Sequence, residues 1–110
     1  MSLLAERARM LREWREWIQG VVEAIKQLYP DAEIYVIGSI AEGNYTASSD
    51  LDLLVATSKP PQTPREEAET KTRIEELANL PVHHPLEIHF VYKERKETWL
   101  KHSKNAIRLA

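Results

Sequence analysis

Asp50 and Asp52 stand two residues apart in the apolar run SDLDLLVAT. In an extended chain such residues share a face, so the two carboxylates present together while Leu51, Leu53 and Val55 turn to the other side. Two like charges this close are costly, and a divalent cation relieves the repulsion. Oxygen ligands favour Mg²⁺, Mn²⁺ or Ca²⁺ over zinc. An EF-hand loop is excluded, because no acidic ligands follow at the required offsets and the surroundings read as strand.

Glu87 is a third acid in an apolar segment, LEIHFVY, where parity groups it with His89 and Val91. Three readings are open for it: an edge-strand acid, an ion-pair partner, or a metal ligand beside Asp50 and Asp52. Gly38 and Ser39 add an anion-binding element. They stand where a β-branched run ends and a short helix begins, and a glycine there lets backbone approach a ligand while N–H groups and a hydroxyl face it. Of only three aspartates and three glycines in the chain, two of each fall between Gly38 and Asp52.

These residues need a scaffold. Apolar positions from Leu4 to Leu28 recur at steps of three and four, which predicts one long amphipathic helix. Gly20 within it costs about 1 kcal/mol against alanine, so close packing is expected there. Trp14 and Trp17 together widen the core face. Strands are expected over Glu33–Ile37, Asp50–Ala56 and Leu86–Tyr92. Thr63 as cap, Pro64 at the first position and Glu66 predict a helix running to about Asn79. A last helix is expected over Thr98–Leu109, with Trp99, Leu100 and Ile107 inward. The order αβαβαβα implies one α/β (α+β) domain, with helices on a small mixed sheet, spanning 1–110.

Composition narrows the function. With 43% apolar and 29% charged residues the chain reads as a soluble globular protein, and no apolar run reaches membrane-spanning length. A cytoplasmic location is the expectation. The absence of cysteine removes disulfides and thiolate metal sites. A net charge of −2 argues against a nucleic-acid partner. The basic stretch Lys93–Arg108 reads as a solvated face, and the adjacent His83 and His84 as loop residues.

The string GSIAEGNYTASSDLDLLV, with ten residues between Ser39 and Asp50, resembles the signature of the DNA polymerase β-type nucleotidyltransferase superfamily. Chain length and element order are most similar to its stand-alone minimal nucleotidyltransferases. The resemblance implies nucleotide contacts at Gly38, Ser39, Gly43 and Ser49. It implies two Mg²⁺ ions held by Asp50, Asp52 and Glu87, with an NTP, ATP foremost, as donor of a nucleoside monophosphate. Many relatives carry a basic residue where this chain has Glu42. Either another cation serves the triphosphate, with Lys59, Lys93 and Arg95 as candidates, or transfer is weakened. The resemblance further implies a helical HEPN-type partner protein and an antitoxin role. The other classes are a small-molecule nucleotidyltransferase, its acceptor pocket built across a homodimer, and a non-catalytic module that neutralises a partner by contact.

Overall fold

The computed structural model describes residues 2–110. The chain opens with two helices, α1 (Leu3–Arg12) and α2 (Trp14–Leu28), where periodicity had predicted one. The break falls at Glu13, whose φ of −101° and ψ of 24° leave the helical region although the apolar stripe continues across it. Trp14 is buried, and Trp17 packs against the core while its Nε1–H donates to the Met10 carbonyl at 2.9 Å. Gly20 corrects the sequence expectation. It is exposed, and a Cβ there would meet nothing within 4 Å.

Four strands follow: β1 (Glu33–Ile37), β2 (Leu51–Thr57), β3 (Leu86–Tyr92) and β4 (Ile107–Arg108), in the order β3-β2-β1-β4. β1 runs antiparallel to β2 and β4, whereas β2 and β3 are parallel, joined by α4 (Pro64–Leu77). A parallel pair requires such a crossover. The start of α4 follows its sequence signals: Thr63 Oγ1 accepts from the Glu66 N–H at 3.0 Å, and Glu66 reaches back to accept from the Gln62 N–H at 3.1 Å.

Alternation sorts the strands into two faces. Ile34, Val36, Leu51, Leu53, Val55, Leu86 and Ile88 form one core with α2 and Ile74 of α4. Tyr35, Ile37, Leu54, Ala56 and Val91 form the other, smaller face, against which Leu100 and Ala106 pack. The C-terminal segment differs from the expected helix. α5 covers only Lys96–Lys101; a turn with Asn105 at φ 60° follows, and the chain then adds β4 to the sheet. The sheet edge at β1 gains hydrogen-bond partners that a helix could not have supplied. No helix among the described residues is long and apolar enough to cross a membrane.

Candidate active site

Register brings the chemistry to one end of the sheet. Asp52 lies on the second, smaller face, paired with Ile37 of β1 on one side and Glu87 of β3 on the other. β1 ends at Ile37 and the chain turns at once into the five-residue helix α3 (Gly38–Glu42). Gly38 has a φ of +73°, and a Cβ at this position would stand 2.7 Å from Asp52 Oδ2. Glycine is required here for its backbone conformation, and its missing side chain leaves the Asp52 carboxylate the position it holds. Ile37 offers α3 no side-chain cap, and the Gly38 N–H donates instead to Ser103 Oγ at 3.4 Å, from the turn after α5.

Each of the three acids has a basic partner. Arg7 of α1 donates to Asp50 Oδ1 at 2.6 Å and to the Ala47 carbonyl at 3.3 Å. His89 Nε2 lies 3.0 Å from Asp52 Oδ1, and its ring packs at 5.2 Å against Trp99 of α5. Lys71 of α4 stands 3.6 Å from Glu87 Oε1 and 3.4 Å from Glu67 Oε2. Parity puts Glu87 on the face of Asp52, but β3 is an edge strand, and the long side chain bends around that edge toward α4. The ion-pair reading of Glu87 is thus realised in its side chain, while its backbone register keeps it beside Asp52. Among the described residues no three acidic or histidine side chains converge closely enough to hold a metal ion.

The donor set nonetheless suits a hard cation. It consists of carboxylates alone, on solvent-accessible side chains whose rotation needs no backbone change, and Asp52 Oδ2 is kept clear by Gly38. Gly43, φ +78°, is the left-handed C-cap of α3, and Ser49 closes the following loop by accepting from the Thr46 N–H at 2.9 Å. Both residues therefore have a local backbone role.

The cations expected to meet a triphosphate lie elsewhere. Lys59, Lys93 and Arg95 follow the far ends of β2 and β3, about 16 Å along the strands from Asp52 at the usual rise per residue. Lys93 pairs with Asp31 there. Arg7 stands beside Asp50 and Lys71 beside Glu87; Arg7 is 43 residues from Asp50, so no local spacing announces the pair. His83 and His84 are loop residues as expected, the first 2.9 Å from Glu6 and the second bound to Glu75 and to the Leu86 N–H.

The sequence matches the family described as Nucleotidyltransferase domain over residues 18–108. The chain belongs to that family. Membership makes it a nucleotidyltransferase, a transferase enzyme, and the matched span contains Gly38, Ser39, Asp50, Asp52 and Glu87. The fold of this nucleotidyltransferase is shared with a crystal structure of a proposed nucleotidyltransferase from Sulfolobus solfataricus, at a TM-score of 0.56 and 20% identity, over 98% of this chain and 86% of that one. A second crystal structure of a proposed nucleotidyltransferase aligns at a TM-score of 0.58 and 24% identity, over 84% of this chain and 97% of that one.

Proposed function

We propose that this nucleotidyltransferase, as a single minimal domain acting in the cytoplasm, transfers AMP from ATP to a hydroxyl on a partner protein. The observation that carries this reading is the register in which Asp52 lies between Ile37, the residue that leads into the Gly38 turn, and Glu87. A turn able to approach phosphate and two acids from parallel strands meet at one strand end.

Asp50, Asp52 and Glu87 would hold Mg²⁺, which supplies charge neutralisation to the triphosphate and acidifies the acceptor hydroxyl. Asp52 stays open toward the ligand because Gly38 has no side chain. The Ser39 hydroxyl and the N–H groups of the turn beyond Gly38, whose own N–H donates to Ser103 Oγ, steady the β and γ phosphates. Glu87 accepts the acceptor's proton as the new oxygen–phosphorus bond forms and pyrophosphate leaves with the electron pair of the broken bond. For Asp50 and Glu87 to serve, Arg7 and Lys71 must yield them, which releases two cations beside the acids for contact with an anionic ligand.

A HEPN-type protein as acceptor, and an antitoxin role, rest on the sequence resemblance. Surface chemistry supports a protein acceptor. Leu3, Leu4 and Val82 are largely exposed, and the Glu6–His83 contact brings their segments to the same end as Asp50. The test is to mix the chain with Mg²⁺, α-labelled ATP and the helical partner. Label on the partner that disappears with Asp50→Ala or Asp52→Ala supports the proposal; tight partner binding that survives both substitutions without label overturns it in favour of a contact-only module.

A further inference from the structure

A groove of about 360 Å³ runs beside the Gly38 turn, between it and α5. Ile37, Gly38 and the exposed Glu42 line it from the β1–α3 side, and Trp99 and His102 from α5 and the turn that follows it. Three features make it a built site. The volume falls in the range of small-molecule pockets. Trp99 is the one tryptophan that keeps a large exposed fraction, 38%, and its indole packs at a tilt against His89, which itself contacts Asp52. The groove also shares Gly38 with the Asp52 cradle, so a ligand whose phosphates meet the cradle has its remaining portion directed along the groove.

We propose that this groove seats the nucleobase of the donor nucleotide, stacked on Trp99, and that Glu42 selects purines bearing an exocyclic amino group. The proposal rests on the nucleotidyl-transfer reading above and adds to it the base and its determinants. Stacking on an aromatic ring is tolerant of base identity, because every base presents a π-face, and larger rings gain more from it. Discrimination must come from a polar group. A carboxylate can only accept, so Glu42 favours a base with amino donors over one presenting carbonyl oxygens at its edge. The negative charge that is poorly suited to a triphosphate is well suited to an adenine or guanine amine.

Calorimetric titration of the full chain with the Mg²⁺ complexes of ATP, GTP, UTP and inorganic tripolyphosphate tests this. ATP and GTP are expected to bind at least tenfold more tightly than UTP and tripolyphosphate. Trp99→Ala brings the purine nucleotides to the tripolyphosphate level without changing tripolyphosphate binding, Trp99→Phe retains most of the affinity, and Glu42→Gln narrows the gap between ATP and UTP. Nucleotides binding no better than tripolyphosphate would overturn the base site while leaving nucleotidyl transfer intact, as would a Trp99→Ala chain of native circular dichroism that keeps ATP affinity and loses only transfer to the acceptor. Equal loss of tripolyphosphate binding in Trp99→Ala would assign Trp99 a structural role instead. If neither tripolyphosphate nor any nucleotide binds, the transfer reading itself fails, and the base site with it.

Discussion

Gly38 and Asp52 are fitted to one another: a side-chain carbon on the former would lie 2.7 Å from Oδ2 of the latter, closer than two such atoms can approach. The contact joins the end of β1 to the start of β2, so the turn and the carboxylate form one unit. Gly38→Ala therefore meets two obstacles, a left-handed φ of +73° and a collision with a charged oxygen. The backbone alone costs about 1–2 kcal/mol. The expected outcome is a lower denaturant midpoint, by at least that amount, together with loss of nucleotidyl transfer as the carboxylate is displaced. An alanine variant with unchanged midpoint and activity would show that Asp52 can move freely.

Gly20 is the opposite case. Its helix is regular, its surroundings are open, and no contact depends on the missing side chain. Gly20→Ala removes backbone freedom from the unfolded chain and is expected to stabilise the protein by about 0.5–1 kcal/mol. Chemical denaturation checks it, and destabilisation would indicate a neighbour pressed against that face.

The contrast between these glycines shows what a sequence makes legible. Gly38 was found because it ends a β-branched run and precedes Ser39 at a telling distance from Asp50. Gly20 was misread because a glycine within a helix looks the same whether it is crowded or bare. Likewise, Leu51, Leu53 and Val55 announced their face by alternation, and the order strand, helix, strand announced the crossover that pairs Asp52 with Glu87. The kink at Glu13 had no glycine or proline to mark it. The end of α5 did have a signal, the turn-forming residues His102 to Asn105, but the spacing of Trp99, Leu100 and Ile107 imitated a helix across it. The partners Arg7, His89 and Lys71 arise from tertiary approach, which periodicity does not encode.

Acid should weaken the fold through two carboxylates at the far end of the sheet. Asp31 accepts from the Thr57 hydroxyl at 2.6 Å and the Ser58 N–H at 2.8 Å, and these bonds hold its pKa well below the ordinary 3.8. Glu33 is lowered from 4.5, chiefly by the Lys96 ammonium at 2.6 Å and then by the Tyr35 hydroxyl at 2.9 Å. Because the unfolded chain takes up these protons first, the stabilisation is complete above the ordinary values and is lost as pH falls below them. Lys96, raised above 10.5 by the same bond to Glu33, and Tyr35, raised above 10.0 mainly by burial, act in the other direction: their contribution is present at neutral pH and lost as alkali deprotonates them. Thermal melting followed from pH 7 to pH 3 should show a falling midpoint, less steep in Asp31→Asn. A variant whose acid slope equals that of the natural chain would remove Asp31 from the account.

Lys71 and Glu87 decide whether the third acid is structural or catalytic. Their pair is solvent-accessible, with Glu87 about half exposed, so its effect on stability should be within about 1 kcal/mol. If Glu87 serves the proposed site, Lys71→Met releases it, and the Mg²⁺ concentration for half-maximal transfer falls, whereas Glu87→Gln raises it. Outer partners of metal ligands already matter by about 10–100-fold, so removal of a ligand should raise the requirement by on the order of tenfold or more. The two substitutions would then shift metal dependence in opposite directions at nearly constant melting temperature. If instead Glu87 only anchors α4 to the sheet edge, both variants would lower the melting temperature alike and leave the Mg²⁺ dependence of label transfer where it was.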